Sequence, residues 1–134
     1  MMAKVLILMG SQSDMDRMEK AVPILNEAGV ETEVVVSSAH RDPDRTAELA
    51  RTAQDRGFSV VICGAGLSAA LPGVVAAHTQ LPVIGVPLNA ALGGLDALLS
   101  VAQMPPGVTV ACVGIDNAKN AAHLALRIIG LTRN

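Results

Sequence analysis

Aromatic side chains are nearly missing from this chain of 134 residues: there is no Trp, no Tyr and a single Phe, Phe58. No aromatic surface is therefore offered to a flavin, and the core has to be aliphatic, built from Val, Ile, Leu, Ala and Met. Charge is scarce too. Asp, Glu, Lys and Arg make up 16% of residues, against roughly 25% in an average soluble domain. A net charge of −2 gives no field that would gather nucleic acid or an anionic membrane surface. The two cysteines, Cys63 and Cys112, sit in apolar runs without metal-ligand spacing and read as reduced, buried thiols. No apolar run reaches the roughly 20 residues of a membrane span, and no secretory leader is visible. A Gly-x-Ser-x-Gly elbow, a His/Asp/Glu metal cluster and an acidic cluster for magnesium are all missing. The expectation is a cytoplasmic protein with no metal, no cofactor, no nucleic acid and no membrane among its partners.

What is present is a regular alternation. Lys4–Met9 reads as a buried strand, and Gly10-Ser-Gln-Ser-Asp14 turns the chain, with Ser13 or Asp14 as helix cap. Met15–Ala28 is predicted as an amphipathic helix that Pro23 kinks, closed by Gly29. Glu31–Ser37 is a second strand. Asp42 and Pro43 open a charged helix over Thr46–Arg56, ended by Gly57. Ser59–Cys63, Pro82–Val86 and Val108–Ile115 read as further strands, and Leu71–Thr79, Leu95–Ala102 and Ala118–Ile129 as helices. Strand and helix in turn predict an α/β fold. The expected form is a three-layer αβα sandwich with a flavodoxin-like parallel five-stranded sheet in the order 2-1-3-4-5, as one domain over 1–134.

With hydrophobic residues at 51%, part of so apolar a surface is expected to be covered by other subunits. From Gly57 to Leu95 there is no Asp, Glu, Lys or Arg. A charge-free helix makes a poor outer face for a monomer, so Leu71–Thr79 is expected at a subunit interface.

The chemistry collects at strand ends, where open α/β sheets bind ligands. In the order 2-1-3, three corners become neighbours: Gly10 to Asp14, Ser38-Ala-His-Arg41, and Gly64-Ala-Gly66. Ser11 and Ser13 offer hydroxyls and amides at a helix start, which suits a phosphate, and Asp14 can take ribose hydroxyls. Arg41 can add a bidentate contact. The imidazole of His40 can both accept and give a proton. His78 and His123 fall on helices and read as structural. Gly64-Ala-Gly-Leu-Ser-Ala69 fits a Gly-x-Gly-x-x-Ala fingerprint, but no acidic residue follows before Asp96, which argues against a dinucleotide. The glycines instead let backbone approach a flat ligand closely.

Taken together, the corners resemble the PurE family of de novo purine biosynthesis. To those above are added Leu71-Pro-Gly73, Pro82-Val-Ile-Gly-Val-Pro87, Gly94-Leu-Asp-Ala-Leu-Leu-Ser100, Gln103-Met-Pro-Pro-Gly107 and Asn120-Ala-Ala122. The resemblance covers nearly the whole chain. It implies a cofactor-free enzyme, commonly an octamer with sites at subunit contacts, that forms 4-carboxy-5-aminoimidazole ribonucleotide. As a mutase it would move the carboxylate of N5-carboxyaminoimidazole ribonucleotide to the imidazole carbon; as a carboxylase it would add free carbon dioxide to aminoimidazole ribonucleotide. On that analogy Ser11, Ser13 and Arg41 hold the phosphate, Asp14 the ribose, and His40 is the general acid and base. Ser38, Ala39, Ala65, Gly66 and Leu71 line the pocket.

Two departures from the family pattern stand out. Ala70 occupies the place of a second pocket histidine in Gly-Ala-Ala-His-Leu-Pro-Gly, and Gly66-Leu-Ser leans toward the carboxylases. The family's additional C-terminal helix is not expected, since the sequence ends at Asn134. Gly114-Ile-Asp-Asn117 also resembles a nicotinate mononucleotide carboxylase, an enzyme expected to need a nucleophilic cysteine. A catalytically silent nucleotide-binding module is the reading from another class.

Overall fold

The computed structural model describes residues 3–132; the chain end at Asn134 lies outside them. β1 (Lys4–Met9) sends Val5, Ile7 and Met9 to one face of the sheet and Leu6 and Leu8 to the other, all fully buried. Such a strand has no polar face because helices cover both sides.

One predicted helix becomes two, α1 (Met15–Met18) and α2 (Ala21–Glu27). Pro23 is the reason. In a continuous helix its ring would meet the Glu19 carbonyl and leave it without a donor. Instead Glu19 N–H closes the first turn on Met15 O (2.8 Å), and Val22 N–H reaches Glu19 O (3.0 Å). Pro23 then falls in the first turn of α2, where a missing donor costs nothing. Gly29, at φ +79°, ends the helix as expected.

β2 (Glu31–Val36) is followed by α3 (Pro43–Thr52) and β3 (Phe58–Ala65). β3 is longer than the predicted Ser59–Cys63 because it is paired on both sides along its length, with β1 and with β4 (Val83–Pro87). α4 (Leu71–His78) lies between them, and α5 (Leu95–Ala102) follows β4 after a 3-10 turn over Leu92–Gly94. β5 is only Ala111–Cys112, not Val108–Ile115. As an edge strand it has one partner, through Ile84↔Ala111 and Gly85↔Cys112. The chain leaves it at once through a turn at Gly114 and a left-handed Asp116 (φ +59°). α6 (Ala118–Gly130) is the last of the described elements.

The sheet is parallel, in the order β2-β1-β3-β4-β5. α2 and α6 share one core with Val5, Ile7, Val60, Ile62, Ile84 and Val86; α3, α4 and α5 share the other with Leu6, Leu8, Val61, Cys63 and Val83. Register puts Val36, Met9, Gly64 and Val86 side by side, so the connections after β1 to β4 leave from one edge. Glycine in mid-strand lets a helix sit close: a Cβ on Gly85 would collide with Val101 of α5.

α4, free of charge, is less of an outer face than its composition implies, because Leu71, Pro72 and Val75 are buried within the chain. The strongly exposed large apolar side chains lie elsewhere: Leu92 (80%), Leu95 (55%) and Leu99 (52%), with Leu67 (72%) and Leu131 (82%) apart from them in sequence. Among the described residues no helix is long and apolar enough to cross a membrane.

Candidate functional site

At the first corner Ser11 caps the 3-10 turn: it is extended (φ −148°, ψ 145°), and its Oγ accepts from Ser13 N–H at 3.3 Å, while Asp14 holds the N-cap position of α1 without a side-chain capping bond. The two hydroxyls lie 2.9 Å apart. A 3-10 turn over Gln12–Asp14 leads from this cap into the single turn of α1. So short a run aligns few peptide dipoles, which leaves the hydroxyls and amides as the polar groups of this corner. Asp14 turns its carboxylate to Arg17, Oδ1 accepting from Nη2 at 2.9 Å. Burial pushes the Asp14 carboxyl above the usual range, against the opposing pull of the Arg17 charge and hydrogen bonds from Ser11 and Arg17.

The second corner is fastened by hydroxyls. Thr46 Oγ1 donates to the Ser38 carbonyl (3.1 Å), so in its buried 2.7 Å contact with Ser37 Oγ the serine is the donor. Ser38 Oγ accepts from the amides of His40 (3.3 Å) and Arg41 (3.0 Å), a serine turn that fixes both residues. Asp42 stands at the start of α3, but its side chain makes no capping bond. The Arg41 guanidinium is exposed, with no hydrogen-bond partner among the described residues.

His40 reaches across to the third corner, its Nε2 2.9 Å from the Ser68 carbonyl. A carbonyl only accepts, so Nε2 carries the hydrogen and the neutral ring keeps its lone pair on Nδ1. Ser68 holds φ at +47°, a left-handed conformation that is uncommon outside glycine. The Gly66 position is closed to a side chain, since a Cβ there would lie 2.8 Å from Ala90 Cβ and 3.3 Å from Leu88 O.

These corners enclose a cavity of about 430 Å³. Ser11, Ser13, Asp14, Ser38, Ala39, His40, Arg41, Ala65, Gly66 and Leu71, all singled out from sequence, line it, as does Ala70. His40 is the one imidazole in the lining. Gly10, Leu67, Ser68 and Ala90 complete it. Ala90 was not anticipated, although the corner after the fourth strand is next in the sheet order and carries the small pair Ala90 and Ala91. Arg17, behind Asp14, was missed as well. His78 is structural as read, its Nδ1–H bonded to Val74 O at 2.9 Å. His123 lies on α6 in a separate shallow concavity with Asn120 and Arg127.

A doubly wound sheet that gathers hydroxyls, a guanidinium and an imidazole at its switch point is an arrangement found in α/β enzymes. Comparison narrows the class. The family model for AIR carboxylase matches residues 4–134, and the chain belongs to that family, the PurE family. It is 57% identical over 131 residues to an N5-carboxyaminoimidazole ribonucleotide mutase of Pyrococcus abyssi, covering 97% of this chain and 75% of that protein. It is 54% identical over 124 residues to a phosphoribosylaminoimidazole carboxylase of Schizosaccharomyces pombe, covering 92% of this chain and 22% of that protein. The crystal structure of Treponema denticola PurE superimposes with a TM-score of 0.87 at 34% identity, over 98% of this chain and 82% of that one.

Proposed function

We propose that residues 1–134 form one catalytic domain that converts N5-carboxyaminoimidazole ribonucleotide to 4-carboxy-5-aminoimidazole ribonucleotide without a cofactor. What supports the reading is the single imidazole, His40, beside the unpaired Arg41 and the Ser11–Ser13 hydroxyl pair in one cavity. Its volume of about 430 Å³ is within the range that encloses small ligands. Ser11, Ser13 and Arg41 hold the phosphate, and Asp14 the ribose. Ser38, Ala39, Ala65, Gly66 and Leu71 flank the base.

The chemistry needs one proton given and one taken. When the N–CO2 bond breaks, the electron pair stays on nitrogen and takes a proton from His40 as imidazolium. Carbon dioxide, held by the cavity walls, is attacked by the imidazole carbon, and the new C–C bond leaves a proton on that carbon. His40, now neutral, accepts it, and the charge balance closes. With Ala70 in the lining, one imidazole serves both transfers.

Direct carboxylation of aminoimidazole ribonucleotide by free carbon dioxide is the second reading, favoured by Ala70 and by the carboxylase among the relatives. Two assays separate them: the N-carboxylated ribonucleotide alone, and aminoimidazole ribonucleotide with bicarbonate. Fast turnover of the first with slow turnover of the second is expected, and the reverse would make the protein a carboxylase. Binding of the ribonucleotides with no turnover in either assay would leave a silent nucleotide-binding module.

The proposal includes a homo-oligomer, an octamer by family resemblance, in which the exposed Leu92, Leu95 and Leu99 are covered by a neighbour. A cytoplasmic setting belongs to the same reading, in keeping with two free thiols.

A further inference from the structure

Arg17 does not line the cavity, yet it meets two of the connections around it and a third, after β5. From α1, Nη2 donates to Asp14 Oδ1 at 2.9 Å. Nη1 donates to the Asn89 carbonyl at 3.1 Å and to Asp116 Oδ1 at 3.2 Å. The same Asp116 oxygen accepts from Asn89 N–H at 2.9 Å, and Asp116 N–H donates to Pro87 O at 2.8 Å. One planar guanidinium thus joins the corner after β1 to the corners after β4 and β5. A lysine has no fork to do this. Asn89 is followed by Ala90, whose Cβ faces Gly66 so closely that no side chain fits at that glycine.

We propose that Arg17 is a positioning residue for the ribonucleotide: it aims the Asp14 carboxylate and, with Asp116, fixes the Ala90 wall. The inference rests on the reading of the cavity as the ribonucleotide site. It adds a residue that touches no substrate but sets how tightly the ribose end is held. The side chain is only 27% exposed, and its partners Asp14 and Asp116 are 13% and 38% exposed, so the contacts are partly shielded from water. A surface ion pair would be worth little; a guanidinium shared among a carboxylate, a backbone carbonyl and a second carboxylate is a geometric device.

The test compares the parent with R17M, R17K and D116N. It measures kcat and KM with the N-carboxylated ribonucleotide and, separately, the Kd of aminoimidazole ribonucleotide by calorimetry. R17M is expected to raise KM and Kd about tenfold, the scale of one lost charged hydrogen bond, with kcat changed less than about threefold. R17K keeps the charge and is expected to recover only part of that loss. D116N keeps an acceptor oxygen at Oδ1 but loses the charge that faces Arg17, and is expected to raise KM and Kd in the same direction as R17M but less. Unchanged KM and Kd in R17M alongside a lower Tm would make Arg17 a structural tie only and overturn the proposal. Full recovery in R17K would also overturn it, because charge rather than the fork would then suffice. Should R17M fail to fold, the R17K comparison decides alone. A parent protein that neither binds nor converts the ribonucleotides overturns the underlying reading of the cavity, before any variant is made.

Discussion

His40 sits at the point where the site's geometry can be checked one atom at a time. Its Nε2–H is engaged by Ser68 O at 2.9 Å, so Nδ1 is the atom left to give and take the proton. H40N retains a small polar side chain and removes proton transfer; turnover should fall at least about 100-fold, the lower end of what general acid–base catalysis contributes. Calorimetry should show ribonucleotide binding within a few-fold of the parent, and a near-parental rate would end the proton-shuttle assignment. Asp14 gives a second prediction. Its carboxyl is raised by burial, so the folded state holds that proton more tightly than the unfolded one. The resulting stability is present below the ordinary carboxyl pKa of about 4 and is lost as pH rises through the raised value. D14N should flatten that part of a Tm-against-pH curve; an unchanged curve would show that Asp14 does not contribute. His40, Arg41, Ser11, Ser13 and Asp14 were legible in the sequence because each follows a β-branched or apolar run at a strand end. Arg17 was not. Its partners Asn89 and Asp116 stand 72 and 99 positions away, and nothing local marks a helix arginine as shared.

Among the elements, the strands that are paired on both sides could be read from their apolar runs alone. The misreadings lie where tertiary pairing or a single ring decides the outcome. Pro23 broke a helix that hydrophobic spacing made continuous, and β5 shrank to Ala111–Cys112 because an edge strand is held from one side. Gly85 shows how tightly α5 is seated. G85A should lower stability by about 1–3 kcal/mol through overpacking against Val101 and Val110, read from the urea midpoint. G130A, where a Cβ meets nothing within 4 Å, should be neutral or mildly stabilising and serves as the control. β3 also carries Cys63, fully buried, whose thiol is pushed up by desolvation. A thiol reagent should label the partly exposed Cys112 first and reach Cys63 only on unfolding.

At the scale of the whole molecule, the strand order 2-1-3-4-5 followed from alternation and handedness. That order is also what gathers corners distant in sequence into one cavity. Less legible was where the apolar surface would lie. Composition pointed to α4, whereas Leu92, Leu95 and Leu99 on the β4–α5 side carry the exposure, because α4 buries its own apolar face against β3, β4 and α3. Light scattering should give a mass several times that of one chain, and L95E with L99E should reduce it together with activity. A monomeric parent would remove the oligomer from the proposal.

The charge-free stretch from Gly57 to Leu95 has a consequence for how the protein is made. It contains β3 and β4, whose faces on one side of the sheet wait for α6, which follows them in the chain. Until then Val60, Ile62, Ile84 and Val86 lack the cover of α6 and have no neighbouring charge in the stretch to deter strand pairing between nascent chains. Refolding yield should therefore fall steeply with protein concentration and recover with a chaperone present. A lysine at the exposed Gln80, Gln80→Lys, should raise that yield while leaving the urea midpoint of the folded protein where it was.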